Sequence, residues 1–69
     1  MKKTFVIQDI MDNTYYVGDF DNNIVWTDDI EDGRKYDSKQ EAEDYISEYS
    51  ALIRVGFVRI CEIFYHLKP

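Results

Sequence analysis

Residues 4–27 read TFVIQDIMDNTYYVGDFDNNIVWT, and this stretch decides the fold. It holds three runs rich in β-branched and aromatic residues, at positions 4–10, 14–20 and 24–27, and such runs are typical of β-strands. Turn-forming residues separate the runs, Met-Asp-Asn at 11–13 and Asp-Asn-Asn at 21–23. Because such short loops join antiparallel neighbours, the stretch predicts a three-stranded meander. Gly18, inside the second run, predicts a bulge or a close backbone approach.

Downstream of the meander, the sequence Ser38-Lys39-Gln40-Glu41 fits the S-x-x-E capping box that begins many helices. Apolar residues then recur at spacings of three and four and would share one helical face; they are Ala42, Tyr45, Ile46, Tyr49, Leu52 and Ile53. The pattern predicts a helix over about 39–53, with Tyr45 and Tyr49 in the core.

The remaining chain completes a sheet. Residues 34–36 are predicted to return briefly to extended structure, and Gly56 to end the helix or lie in a loop. Residues 57–67, FVRICEIFYHL, predict a long last strand, and its two apolar faces indicate a central position in the sheet. The predicted fold is α+β in the order β-β-β-α-β, a single domain over residues 1–69. About four antiparallel strands carry one helix on one face, so apolar residues of the other face would be exposed or meet a partner.

Composition limits the class of protein. The 69 residues are 45% hydrophobic and 16% aromatic, which excludes a disordered chain. A single cysteine, Cys61, excludes a disulfide framework and indicates a reducing compartment. The N-terminal apolar run is too short for a signal peptide, and no stretch is long enough to span a membrane. A cytoplasmic protein is expected.

Charge is concentrated in one third of the chain. The net charge is −6, and residues 28–49 carry nine acidic and three basic residues, so this segment alone has a net charge of −6. Direct binding to nucleic acid is disfavoured, because affinity for phosphate requires clustered Lys and Arg. A basic partner is favoured.

Two clusters of carboxylates are candidate divalent-metal sites. Asp19, Asp21 and Asn23 have the opening spacing of an EF-hand loop, but Ile24 and Ile30 stand where that loop requires Gly and Glu. A looser site could use carboxylates between the third strand and the helix. The alternative to both metal-site hypotheses is that these carboxylates are solvated, repel each other and bind no metal. The weak candidate ligands are Asp19, Asp21, Asp28 and Asp29.

The predicted helix carries a ridge of carboxylates, Glu41, Asp44 and Glu48, beside its apolar face. At about 1.5 Å of rise per residue their axial spacings are about 4.5 and about 6 Å, comparable to successive phosphates of a nucleic-acid strand. Such a ridge could enter a basic channel built for DNA or RNA, although an ordinary solvated helix surface has the same composition. Tyr15 and Tyr16 must point to opposite faces of their strand.

Catalytic signals are weak. His66 is the single histidine, at a strand end near the C-terminus, and Cys61 lies among apolar neighbours where a thiol is normally inert. Three scattered glycines form no phosphate-binding loop. The protein is not expected to be an enzyme.

The order of motifs, YYVG, VWT, RKYDSKQEAEDYI and VRICEI, resembles small proteins encoded by phages and prophages of Gram-positive bacteria. Small acidic proteins of this kind include anti-CRISPR proteins and other inhibitors of host defence. The resemblance implies an inhibitor that binds a basic surface of a host protein, such as a Cas9-type nuclease, and blocks DNA loading. No functional residue is carried over from it, because no motif defines one.

Together these observations predict a phage-encoded, non-enzymatic inhibitor that acts by occupying a basic site in the host cytoplasm, as a monomer or weak homodimer. Two alternatives remain: an accessory module that self-associates through its open sheet face, and a divalent-metal-binding domain. The predicted partner-binding residues are Trp26, Asp28, Asp29, Glu31, Asp32, Glu41, Asp44 and Glu48.

Overall fold

The computed structural model describes residues 2–21, 23–49 and 57–65. Four strands and two helical segments follow in chain order. They are β1 (Lys2–Asp9), β2 (Thr14–Phe20), β3 (Asn23–Thr27), a 3-10 turn (Ile30–Asp32), α1 (Lys39–Glu48) and β4 (Val58–Tyr65). The predicted α+β class and the β-β-β-α-β order of the main elements are confirmed.

The strands form one antiparallel sheet in the order β3-β2-β1-β4. The predicted meander is therefore confirmed, but the prediction of a central position for the last strand is wrong, because β4 lies at the edge beside β1. The central strand beside it is β1, whose Val6 and Ile7 are fully buried. β4 lies at an edge although both of its faces are apolar, because its apolar side chains are not all buried. Phe64, for example, is more than half exposed.

Residues 34–36 separate β1 from β2 over part of their length. The two strands pair at Gln8 with Tyr15 and at Asp9 with Thr14. Nearer the N-terminal end of β1, Phe5 instead exchanges two backbone hydrogen bonds with Tyr36, of 3.0 and 2.8 Å. The prediction of extended structure at 34–36 is thus confirmed at Tyr36. Residues 34–36, which enter the sheet at this point, are called the wedge.

Local chemistry explains the irregular points of the meander. The buried carboxylate of Asp9 accepts hydrogen bonds from the backbone amides of Met11 and Asp12, which closes the first turn. Asn13 then adopts a positive φ of 61°. In β2 the register with β3 shifts between Tyr16 and Gly18, so the predicted bulge is confirmed.

α1 begins where the capping box predicts. The Ser38 hydroxyl accepts the Glu41 amide at 3.0 Å. The helix ends at Glu48, and the amide of Tyr49 donates to the Tyr45 carbonyl at 3.0 Å. It is shorter than predicted, and residues 50–56, including Leu52, Ile53 and Gly56, lie outside the described residues, as do His66 and Leu67 of the predicted last strand.

The core lies between α1 and one face of the sheet. It is built on Ile7, Tyr16, Tyr36 and Ala42, each at most 2% exposed. Ala42 lets the helix approach the sheet closely because its side chain is a single methyl group. The prediction that Tyr45 and Tyr49 are core residues is correct only in part, because Tyr45 packs against the core whereas Tyr49 is 37% exposed.

Candidate functional site

The carboxylates that follow β3 form an acidic loop, defined as Asp28, Asp29, Glu31 and Asp32, and all four are exposed. The backbone of this loop is well anchored. The Thr27 hydroxyl accepts the Asp29 amide at 3.1 Å, and the Asp29 carboxylate accepts the Glu31 amide at 3.0 Å. Asp29 therefore has a structural role at the start of the 3-10 turn, in addition to its predicted role in partner binding.

Lys35 stabilises the backbone of the acidic loop by hydrogen bonds. Its ammonium group donates to the carbonyls of Gly33 at 3.0 Å and Ile30 at 3.5 Å, and also to that of Glu31. The lysine therefore satisfies backbone carbonyls of the turn, while all four acidic side chains of the loop remain exposed.

The second group of carboxylates is the helix ridge, defined as Glu41, Asp44 and Glu48. All three are exposed on α1. Asp44 accepts a hydrogen bond of 2.9 Å from the Gln40 amide, one helical turn away, and this contact limits the rotamers of its carboxylate. Glu43, outside the ridge, instead pairs with Lys39 at 3.8 Å. The ridge thus keeps its negative charge uncompensated by that lysine.

The acidic loop and the helix ridge lie on opposite sides of the sheet. α1 packs on the side that carries Ile7 and Tyr16. Tyr15 points to the other side, because successive strand residues alternate, and a Cβ on Gly33 would lie 3.1 Å from the Cβ of Tyr15. The 3-10 turn therefore packs on β2 away from α1. The seven carboxylates form two surfaces, whereas the sequence predicted that they face one basic site.

The candidate metal ligands do not converge. Asp19 lies within β2 and pairs with Ile24, and Asp21 adopts a positive φ of 51° at the turn to β3. Asp28 and Asp29 follow the other end of β3. Across residues 2–21, 23–49 and 57–65, no three His, Cys, Asp or Glu side chains are placed to hold one metal ion.

Trp26 is half-buried rather than displayed. Its ring lies edge-on to the ring of Tyr16, with centroids 5.7 Å apart and an angle of 72° between the planes. The side chain packs against the core from β3. Only part of this predicted partner-binding residue is therefore accessible to a partner.

An aromatic cluster around Arg34 is the feature that sequence reasoning missed. The guanidinium carbon lies 5.1 Å from the ring centroid of Tyr45 and 5.7 Å from that of Tyr36. The rings of Tyr45 and Tyr49 are tilted by 32° with centroids 4.6 Å apart, and the Tyr45 hydroxyl shares a 2.5 Å hydrogen bond with that of Tyr16. The alternation of Arg34 and Tyr36 in an extended segment was the available signal, since it places both on one side.

Two tyrosines of this cluster have raised pKa values. Burial raises the pKa of Tyr36 to about 12, partly opposed by the nearby Arg34 charge. Burial, followed by the hydrogen bond with Tyr45, raises the pKa of Tyr16 well above its usual range. Both hydroxyls stay protonated at neutral pH, so neither is suited to act as a base. No ligand-sized cleft is found in the described part of the molecule.

The sheet face away from α1 is closed at its centre. Thr4, Val6 and Gln8 are at most 3% exposed. The Gln8 amide nitrogen donates to Asn13 at 2.5 Å, and its oxygen accepts from Arg59 at 2.6 Å and from the Cys61 thiol at 3.3 Å. The structure thus differs from the expected open apolar face, because these β1 residues are buried and Gln8 is hydrogen-bonded there.

Exposed large apolar side chains of the described residues lie instead near strand ends, along β4 and at the end of α1. They are Ile10, Met11, Phe20, Tyr49, Phe57 and Phe64. Ile10 and Phe57 are neighbours, since the Ile10 amide donates to the Phe57 carbonyl at 2.7 Å. Among the described residues, no helix is long and apolar enough to cross a membrane.

Comparison with known proteins found no matching family model, no matching curated protein and no matching solved structure.

Proposed function

We propose that the protein binds a basic surface of another protein and acts by occupancy, without catalysing a reaction. The observation that carries this proposal is the exposure of all seven carboxylates of the acidic loop and the helix ridge, in a segment whose net charge equals that of the whole chain. Clustered, solvent-facing charge of one sign accelerates encounter with an oppositely charged surface.

The helix ridge is the better candidate for direct contact. Its carboxylates are about 4.5 and about 6 Å apart along the helix axis, a spacing that arginines and lysines arranged for phosphates can accept. The cap at Ser38 and the buried Ala42 hold this helix in place, so binding would order few additional groups. The acidic loop, on the other side of the sheet, would contribute mainly to long-range steering.

The resemblance to small phage proteins adds a more specific proposal. In it, the protein is a phage-encoded inhibitor in the cytoplasm of the host cell, and its target is a host defence or nucleic-acid-handling protein. A Cas9-type nuclease fits the chemistry, because its nucleic-acid channel is positively charged. The helix ridge would occupy that channel before DNA is loaded.

Three matched variants test which carboxylates carry the binding. The ridge variant is Glu41→Gln, Asp44→Asn and Glu48→Gln. The loop variant is Asp28→Asn, Glu31→Gln and Asp32→Asn, and it retains Asp29 because that carboxylate caps the 3-10 turn. The control variant, Asp12→Asn, Asp19→Asn and Asp21→Asn, removes the same amount of charge outside residues 28–49.

The assay is DNA loading by a Cas9–guide RNA complex in a gel-shift experiment, together with capture of proteins from a Gram-positive host lysate. The ridge variant should lose inhibition and capture, the loop variant should slow association, and the control should retain both. High salt should weaken capture by the unmodified protein. Equal losses in all three variants, or full inhibition by the ridge variant, would contradict the proposed mechanism.

A further inference from the structure

The outer edge of β4 carries hydrogen-bonding groups that no other described segment uses. In the order β3-β2-β1-β4, only β1 pairs with β4. An edge strand leaves every second residue with its backbone N–H and C=O pointing away from the sheet. β4 is long for an edge, eight residues, and it contains no proline. It is therefore a template for another strand.

The hydrogen bonds of β1 identify which residues of β4 point outward. Phe5 uses its N–H and C=O toward Tyr36, away from β4, so its pair with Glu62 is not hydrogen-bonded. The N–H and C=O of Glu62 must then point to the outer edge. Every second residue of β4 has the same backbone orientation as Glu62. The residues whose N–H and C=O point to the outer edge are therefore Val58, Ile60, Glu62 and Phe64.

The charge of this edge suits a second copy of the chain. Residues 57–65 contain one arginine and one glutamate, so they are neutral in a molecule of net charge −6. A basic partner would find its complement in residues 28–49 rather than at this neutral edge, whereas two copies would meet at β4 through segments that carry no net charge. Phe57 and Phe64 are 47% and 55% exposed, and such a contact would bury part of their apolar surface.

Symmetry restricts how two β4 strands can pair. A two-fold axis normal to the sheet makes the strands antiparallel and leaves both helices on the same side. Residues directly opposite each other must point to the same face of the sheet, so they are separated by an even number of positions in the sequence. One residue therefore lies at the centre of each register and faces its own copy. Registers centred on Cys61 or Glu62 use nearly the whole strand, residues 58–64 or 59–65.

The register centred on Glu62 is disfavoured, because it places two glutamates directly opposite each other. The register centred on Cys61 places Val58 opposite Phe64 and Ile60 opposite Glu62. These two pairs join all four outward-pointing residues through hydrogen bonds. Cys61 then meets its copy at a pair that is not hydrogen-bonded, where Cα atoms lie about 4.5 Å apart.

We propose that the protein forms a symmetric dimer in which β4 pairs antiparallel with β4 of a second copy, with Cys61 opposite Cys61. The result is a continuous eight-stranded sheet. This inference is independent of the proposed function, because it uses an edge that carries none of the seven candidate carboxylates.

Oxidative cross-linking of the unmodified protein tests the register. Copper–phenanthroline with dissolved oxygen accepts two electrons and two protons from a pair of thiols and leaves one disulfide. The Cα separation expected at Cys61 lies within the range of disulfides, so a covalent dimer should form rapidly on a non-reducing gel. In the variant Cys61→Ser with Arg59→Cys, each thiol would face Ile63 of the partner. The two thiols would lie about 13 Å apart, and no rapid cross-link is expected.

Light scattering after size exclusion tests the edge itself, with an expected mass of twice the 8.3 kDa chain. Glu62→Pro removes an outward N–H and leaves the β1 pairing intact, so it should weaken dimerisation about tenfold or more. Glu62→Ala loses the same surface ion pair with Lys3 but keeps the N–H, and it should remain dimeric. A monomer at all concentrations with no Cys61 cross-link, or a dimer unaffected by Glu62→Pro, would overturn the proposal.

Discussion

At the scale of single residues, two core tyrosines have opposite hydrogen-bonding environments. The Tyr16 hydroxyl is paired with that of Tyr45, whereas the Tyr36 hydroxyl is buried without a hydrogen-bond partner among the described residues. A buried polar group that lacks a partner destabilises the folded state. The same chemical change at the two positions should therefore have opposite effects.

Tyr36→Phe should raise the free energy of unfolding by about 1 kcal/mol, because it removes an unsatisfied hydroxyl and keeps the ring. Tyr16→Phe should lower it by about 1 kcal/mol, because it leaves Tyr45 without its partner. Urea unfolding of both variants measures the difference. Destabilisation by Tyr36→Phe equal to that of Tyr16→Phe would show that the Tyr36 hydroxyl has a partner in solution.

Stability should decline at alkaline pH. Burial raises the pKa of Tyr36 from 10.0 to about 12, and that of Tyr16 is also raised. Because the protonated form is favoured in the folded state, this contribution is complete below pH 10 and is lost as the pH rises toward about 12. Urea midpoints measured from neutral to alkaline pH should fall above pH 10, and Tyr36→Phe should reduce the fall. An identical slope in that variant would contradict the assignment.

At the scale of elements, the wedge at residues 34–36 organises the sheet. It pairs with Phe5 and donates from the Arg34 amide to the Tyr16 carbonyl at 2.8 Å. It thereby supplies backbone partners to strands that have separated from each other. It also leads directly into α1, so the placement of the helix ridge depends on this short segment.

The cap of α1 gives a direct prediction at this scale. Ser38→Ala should lower the free energy of unfolding by about 1 kcal/mol, because the Glu41 amide loses its acceptor. Ser47→Ala, the same substitution at an exposed position of the same helix, is the matched control and should change stability little. Ser38→Asp should retain stability because aspartate is an equally good cap. Denaturant unfolding would contradict the assignment if the two alanine variants were indistinguishable.

At the scale of the whole molecule, unbalanced charge opposes folding. The net charge of −6 lies in residues 28–49, and the carboxylates of both the acidic loop and the helix ridge are exposed. Compaction brings like charges closer together, which destabilises the folded chain at low ionic strength. The charge that favours a basic partner therefore has a cost in stability.

The thermal midpoint should rise between about 0.01 M and about 1 M NaCl, as the Debye length falls from about 30 to about 3 Å. The ridge variant Glu41→Gln, Asp44→Asn and Glu48→Gln should show a smaller rise, because less repulsion remains to be screened. Differential scanning calorimetry or circular dichroism measures both. A midpoint that falls with salt would indicate that attractive ion pairs dominate.

Local sequence by itself determined the turns, the bulge, the helix start and the exposure of the seven carboxylates of the acidic loop and the helix ridge. These features depend on the backbone preferences of Asx residues and glycine, on the Ser38 side chain and on the cost of burying charge. They involve residues close together in the chain, so a short stretch such as 38–41 contains the full physical cause.

The tertiary structure alone decided the edge position of β4, the entry of the wedge beside Phe5 and the separation of the acidic loop from the helix ridge. It also decided that Gln8 is buried and bonded to Arg59, and that Arg34 lies over two tyrosine rings. Each of these depends on which side of the sheet a segment crosses and on contacts between distant residues. Composition and periodicity describe faces of single elements, and they do not specify which neighbour each face meets.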